Sequence, residues 1–280
     1  MKKAVCEEIS RFVREEVGNF CPENGKPYFD APLIGFVAAD DPLFTDYKTV
    51  IGAFHLTPYE LAALTEGGST WSPQTVICWV LPISLATCES NRNETLYPSL
   101  AWAQTRSNGE SFNASLRRHL VNYLSNAGYH AFAPQLHPAW CEYPETPVGH
   151  ASSWSERHAA YAAGLGTFSL NDALITPHGI AHRLGSVITD LQIAPSPRLY
   201  QDHRSNCLFY REGTCAACIS RCPVGAISGS GHDKRICRDH AYGTIPKAMG
   251  ELFNVPALGC GLCQTRVPCE NRIPPGETAS

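Results

Sequence analysis

Eight cysteines in the last third of the chain carry its most legible chemistry: Cys207, Cys215, Cys218, Cys222, Cys237, Cys260, Cys263 and Cys269. Cys215, Cys218 and Cys222 stand as C-x2-C-x3-C, and Pro223 follows at once. That spacing supplies three of the four thiolates of a cubane iron–sulfur cluster, with the proline that closes such runs. Eight thiolates suffice for two clusters. In two-cluster proteins the cysteine before the proline ligates the other cluster. Cys207, Cys215 and Cys218 are therefore expected to share one with the distant Cys269, and Cys222 to join Cys237, Cys260 and Cys263. A chain so equipped moves electrons one at a time.

Structural zinc, satisfied by paired C-x2-C sets, and a disulfide scaffold, satisfied by an even count, are the competing uses of such thiols. The Cys-Pro closure favours clusters. A standard ferredoxin run would place a cysteine at position 212, where Glu212 stands, so the first ligand is displaced upstream to Cys207. The second run is stretched by five residues between Cys263 and Cys269, and Pro268 precedes its last cysteine. Cys6, Cys21, Cys78, Cys88 and Cys141 lie elsewhere and are expected to be small buried hydrophobes.

The elements that must position these thiols come from a chain of 280 residues, 44% hydrophobic and 17% charged, enough for one sizeable core and a small second unit. We place the boundary after Pro195 and Pro197: residues 1–197 as an α+β domain, 198–280 as the cysteine-rich domain. The formal charge of −4 argues against a broad nucleic-acid footprint. No apolar run reaches the length of a membrane span, and the amphipathic start does not read as a signal peptide, so the expectation is a cytoplasmic protein with no membrane partner. Val5, Ile9, Phe12 and Val13 predict a docking helix, LIGFVAAD a strand, Thr57-Pro58 a helix start, and Thr75–Ser84 a buried strand. Ser111–Ala127 reads as a long amphipathic helix, HAFAPQ as a short strand, and Ser153–Ala163 as a helix stopped by Gly164. DALITPHG and HRLGSVITDLQI read as two strands around a turn. Arg117-Arg118 is expected on an exposed helix face.

The stretch from Glu156 to Ile193 contains A-G-L-G at a helix end, then L-I-T-P-x-G, then R-x-G-x-V-x-T-D-L. It resembles the signature shared by epoxyqueuosine reductases and reductive dehalogenases, as does the downstream Cys-Pro-Val-Gly-Ala-Ile followed by a lone cysteine and a Cys-x2-Cys-Gln run. The resemblance implies a nitroreductase-like cobalamin-binding domain followed by a bacterial ferredoxin-like domain with two 4Fe-4S clusters that reduce the cobalt. Carried over by position, Gly164, Leu165 and Gly166, with Thr176, His178, Gly179, Arg183, Ser186 and Thr189, would wall the corrin. The glycines would let main chain approach the ring, and Arg183 and His178 would reach its tail. Gly164-Leu165-Gly166 is no dinucleotide loop, because it follows a helix and lacks the third glycine.

Three departures shape the functional expectation. No twin-arginine leader of the dehalogenase kind is present, the helical-repeat extension of many epoxyqueuosine reductases does not follow Cys269, and no aspartate stands upstream of the A-G-L-G helix as proton donor. Glu142, Glu145, His150 and His158 are the acids available there, with Glu145 or His150 the expected proton donor because a loop could aim either inward. Trp102, Trp140 and Trp154 could wall a substrate pocket. The expected function is an iron–sulfur oxidoreductase that reduces epoxyqueuosine in tRNA, or a related small molecule, fed by a low-potential donor such as ferredoxin or flavodoxin. Lys234–Arg238 could dock such an acidic donor or a phosphate backbone. The alternative is an electron-transfer or activating protein that serves another enzyme's corrinoid and holds no cobalamin of its own, including the case of a domain that has kept its shape and lost the cofactor.

Overall fold

The computed structural model describes residues 1–65, 71–200 and 202–276. The N-terminal periodicity forms helix α1 (Lys2–Glu15), with Val5, Ile9, Phe12 and Val13 on its buried face. Strand β1 (Leu33–Ala38), α2 (Leu43–Val50) and α3 (Pro58–Ala63) follow. The start of α3 is a capping box: Glu60 N–H donates to Thr57 Oγ1 at 3.2 Å, and Thr57 N–H donates to the Glu60 carboxylate at 2.8 Å. Next come β2 (Thr75–Pro82), α4 (Leu85–Arg92), α5 (Leu100–Asn126), β3 (Ala131–Phe132), β4 (Glu142–Tyr143) and β5 (Ala151–Ser152). They are followed by α6 (Glu156–Ala162), β6 (Thr167–Phe168), β7 (Leu174–Ile175) and β8 (His182–Thr189).

A four-stranded antiparallel sheet in the order β1-β2-β8-β3 organises this part, with Cys78 on β2 facing Gly35 on one side and Ser186 on the other. All eight residues of β2 are buried, because both faces of the sheet are covered. Side chains alternate between the faces. Ile77, Trp79 and Leu81 enter a core with α1 and α5, while Val76, Cys78 and Val80 enter a second with Phe44, Tyr47, Trp154 and the alanines of α6.

Several expectations are corrected. Helix α5 starts at Leu100, not Ser111, capped by Ser99 Oγ accepting Trp102 N–H at 3.2 Å. Its first half is polar and interrupted by Gly109, which is needed because a Cβ there would stand 2.7 Å from the Phe29 ring. DALITPHG and HRLGSVITDLQI do form two strands around a turn, closed by a Thr176–Gly179 bridge, with β7 pairing with β6 and β8 with β2 and β3. Arg117 is buried, held by Glu110, Gln135 and the Leu184 carbonyl, and only Arg118 is exposed. Cys21, Cys78 and Cys88 are buried as expected, but Cys141 is exposed.

The cysteine-rich part is made of short pieces: α7 (Leu208–Glu212), α8 (Ala217–Arg221), β9 (Ile227–Ser228), β10 (Gly231–His232) and α9 (Lys234–Arg238). A π-helical turn over Asp239–Thr244 leads into α10 (Ile245–Phe253). Its core is shared with the sheet-bearing part: Leu170, Ile175 and Ile180 pack against Cys207, Ile227 and Val267, and Ala103 of α5 packs against Ile245 and Leu258. The connection through Pro195 and Pro197 is itself packed, since Ser196 exchanges two hydrogen bonds with Phe36 at the edge of β1 and Arg198 meets Asp41 at 2.6 Å.

Candidate functional site

The eight cysteines gather as two sets. Cys207, the N-cap of α7, and Cys215, Cys218 and Cys269 line one cavity, closed on its other side by Leu170, Ile175 and Ile180. Burial first, then the nearby Cys207 and Cys215, push the Cys218 thiol up to about 11, and Cys269 is raised by burial and then by Cys218, Cys207 and Cys215. The second set is Cys222, Cys237, Cys260 and Cys263: Cys260 is pushed up to about 11 by burial, with Cys237 and Cys222 adding to it, and Cys263 is raised by burial and then by Cys260, Cys237, Cys218 of the first set and Cys222. Ala226 N–H donates to Cys222 Sγ at 3.2 Å, the kind of bond that stabilises a ligating sulfur. Among the described residues no three His, Cys, Asp or Glu side chains converge on a single-ion site.

Polar clamps from the sheet-bearing part hold the second cysteine run. Arg221 of α8 donates to the carbonyls of Asn91 and Glu94 at the end of α4 and to those of Leu262 and Thr265. The buried Glu270 carboxylate accepts two bonds from Arg92 and the Arg266 N–H. Gly261, at φ +69°, lies under the Trp102 indole, and a Cβ there would stand 2.0 Å from the ring. Trp102 therefore packs beside Cys260 and Cys263, and Trp154 donates from Nε1 to Ser186 inside the core, so neither walls a pocket. Trp140 is partly buried against the core on the α6 side of the sheet.

The residues expected around a corrin have protein partners. A Cβ at Gly164 would meet the Pro197 carbonyl at 2.5 Å, at Gly166 the Ile175 carbonyl at 2.4 Å, and at Gly179 the Glu270 main chain. The close approach these glycines permit is thus made by the chain itself, and Leu165 is buried beside Gly35. Thr176 Oγ1 donates to the Gly179 carbonyl, Ser186 Oγ to Glu156 at 2.6 Å, and Thr189 Oγ1 to the His130 carbonyl at 2.7 Å. Arg183 forms a double hydrogen bond with Glu110, and His178 is exposed. The T-P-H-G turn abuts the last cysteine, with Ile180 N–H donating to the Cys269 carbonyl at 2.9 Å. These residues do not fit the role of a corrin wall.

Charged groups collect instead where α5, the β4–β5 hairpin and α9 meet. Arg106 donates to Tyr242 Oη at 3.1 Å and packs against Gly259, and Arg238 lies over the other side of that tyrosine's reach, 5.5 Å from the ring centroid. Arg238 also meets Glu142 at 3.7 Å, and His150 Nε2 lies 3.4 Å from the same carboxylate. His150 is therefore linked through Glu142 to Arg238, the residue after Cys237, whereas Glu145 stands exposed on the hairpin loop. His158 is turned inward with Nδ1 2.8 Å from Ser155 Oγ, and burial followed by Arg157 pushes it down to about 3. Arg106, Arg221 and Tyr242 were not singled out from sequence by role. Their partners lie far along the chain, and only Arg238 and the basic run around it gave a local signal.

No family model matches the chain. An epoxyqueuosine reductase of Gloeobacter violaceus is 33% identical over 135 residues, which cover 45% of this chain and 37% of that protein. Among solved structures, an epoxyqueuosine reductase in complex with an epoxyqueuosine-modified tRNA stem loop superposes with a TM-score of 0.56 at 18% identity, over 96% of this chain and 65% of the other. A reductive dehalogenase whose structure suggests a mechanism for B12-dependent dehalogenation gives a TM-score of 0.52 at 14% identity, over 88% of this chain and 30% of its own. The resemblance read from the A-G-L-G and L-I-T-P segments is thus matched by a curated relative and by fold. The chain spans less than two thirds of the length of each of these proteins.

Proposed function

We propose that this relative of the epoxyqueuosine reductases is an iron–sulfur oxidoreductase that holds two 4Fe-4S clusters and supplies electrons for the reduction of the epoxide in epoxyqueuosine of tRNA. The observation that carries the reading is the division of eight thiols into two sets of four, one lining a cavity and one beside the charged junction. Thiols this crowded and buried ionise only against a strongly cationic centre. A cubane spreads its four thiolates over four irons, and the Cys222-Pro223 closure is of the cluster-binding kind. When bound, the clusters supply one-electron steps at low potential.

Removing an epoxide oxygen takes two electrons and two protons and leaves water, so two one-electron centres and a proton donor form a sufficient set. His150 is the donor the geometry favours, because it alone of the expected pair reaches the junction beside Cys237. Arg106, Lys234 and Arg238 there provide positive charge for a phosphate-bearing substrate. The residues expected to wall a cobalamin do not fit one.

The filled cradles at Gly164, Gly166 and Gly179 favour a second reading, in which the protein delivers low-potential electrons to another enzyme's corrinoid. Metal analysis of protein purified without oxygen from cells supplied with cobalamin separates the two. About eight irons per chain is the expectation for both. Conversion of epoxyqueuosine-tRNA by the isolated protein supports the enzyme, and cobalt at one per chain would overturn the misfit of the corrin wall. Eight irons with no cobalt, no spectral change on adding cobalamin and no turnover of that tRNA moves the assignment to the electron-delivery protein.

A further inference from the structure

We propose that Arg221 is a positioning residue whose fixed positive charge holds the cluster of Cys222, Cys237, Cys260 and Cys263 at a higher reduction potential than the cluster of Cys207, Cys215, Cys218 and Cys269. The inference rests on the cluster reading above and adds to it a control on one of the two centres. Arg221 ends α8 as the residue before Cys222, and its guanidinium reaches the other cysteine run of the same set. Nε donates to the carbonyls of Leu262 and Thr265, each at 3.1 Å, and Leu262 is the residue before Cys263. Nη1 donates to the Glu94 carbonyl at 2.9 Å and Nη2 to the Asn91 carbonyl at 3.2 Å, so main-chain acceptors fix the group between the two runs.

What this guanidinium lacks is a counter-ion. Among the described residues every oxygen it bonds is uncharged, the Thr265 hydroxyl included, and the nearby Glu270 carboxylate is taken up by Arg92 and the Arg266 N–H. A guanidinium keeps its proton, and holding it partly out of water without an anion costs free energy that carbonyl dipoles offset only in part. A cubane with four thiolates is an anion and gains one further negative charge on reduction. The cluster on the flanking cysteines therefore serves as the counter-charge, and its reduced form is stabilised more than its oxidised form. The cations beside the first set are differently placed: Arg211 meets Glu212 at 2.8 Å, and Arg204, Arg266 and Arg272 are exposed, where water and salt screen them. The cavity of that set is closed by the apolar Leu170, Ile175 and Ile180. An unpaired charge at one cluster and none at the other sets the order of the two potentials.

The test is an EPR-monitored redox titration of the anaerobically reconstituted full chain, comparing wild type with Arg221→Gln and Arg221→Lys. Glutamine keeps N–H donors for the carbonyls and removes the charge, so one of the two midpoint potentials is expected to fall while the other stays in place. Lysine keeps the charge and is expected to restore most of that shift, although it cannot reach all four carbonyls. Unchanged potentials in an iron-replete Arg221→Gln protein, or an equal fall of both, overturn the proposal. So does a lysine variant as low as the glutamine one, because the lost hydrogen bonds and not the charge would then be the cause. Where the glutamine variant loses iron, wild type set beside Cys260→Ser decides: the EPR signal missing from that variant must be the one that titrates at the higher potential in wild type, and the reverse order overturns the assignment. Wild type that takes up no iron would defeat the cluster reading itself, a result distinct from these.

Discussion

At the scale of single residues, the site depends on small groups in tight places. Gly261→Ala would put a methyl group into the Trp102 ring at a backbone φ of +69°, so the turn carrying Cys260 and Cys263 must move. The expected outcome is selective loss of one cluster, about four of eight irons, measured by iron content and visible absorbance. Two buried histidines make a different prediction. Burial, with Lys48 adding to it, holds His55 down to about 4, and burial with Arg157 holds His158 down to about 3. Both rings are neutral in the folded chain, whereas the unfolded chain takes up these protons near pH 6.5. Their contribution is fully present above that pH and is lost as pH falls toward about 4, by on the order of 3 kcal/mol per ring at the acid end. The urea midpoint should drop between pH 7 and pH 5, and His158→Gln should flatten that dependence; a wild-type midpoint constant over this range would refute it. The central cysteines were legible because their spacing is local. Arg221 was not, because its partners lie 41 to 130 positions away and are mostly carbonyls that leave no sequence trace.

At the scale of elements, the strongest signals were those with one dominant cause. Helix α1 and strand β2 followed their hydrophobic patterns, and α3 followed its cap, where Thr57→Ala is expected to cost about 1 kcal/mol in a chemical-denaturation measurement. Helix α5 was read only from its amphipathic half, since tertiary contact with Phe29, not propensity, explains Gly109. The segments β7 and β8 were read as two strands around a turn and are so, but a period-2 pattern fixes which face a residue occupies and says nothing about which strand it pairs with. The A-G-L-G and L-I-T-P motifs were legible as motifs, yet their glycines turn out to admit the chain's own carbonyls at Pro197 and Ile175. Helix α4 has a role no pattern announced. Its end grips the last cysteine run through Arg92 and Glu270, and Glu270→Gln removes the charge that accepts Arg92 and the Arg266 N–H. That change should cost about 2–3 kcal/mol and speed iron release to a chelator, with the cluster nearest Cys269 lost first.

At the scale of the whole molecule, the two thiol sets cross the order of the chain. Cys222 sits four positions after Cys218 yet lies with Cys260 and Cys263, and Cys269 sits six positions after Cys263 yet lies with Cys207 and Cys215. The crossing locks the cysteine-rich part to itself, and the shared cores at Ile180 and Ile245 lock it to the sheet-bearing part. Neighbouring cysteines should therefore fail in opposite ways. Cys222→Ser should abolish the same EPR signal as Cys260→Ser and spare the signal lost in Cys218→Ser, while Cys269→Ser should pair with Cys215→Ser. If loss instead followed sequence neighbourhood, with Cys218 and Cys222 removing one signal and Cys263 and Cys269 the other, each run would hold its own metal and the crossed arrangement would be wrong. The outcome also bears on electron flow. In the crossed arrangement the cluster with Cys222 and Cys237 faces the junction of Arg106, Glu142, His150 and Arg238, and the other lies under Leu170 and Ile180. Electrons reaching a substrate at that junction would leave through the first of these, so Cys237→Ser should stop turnover or onward transfer even where the Cys207 cluster remains reducible.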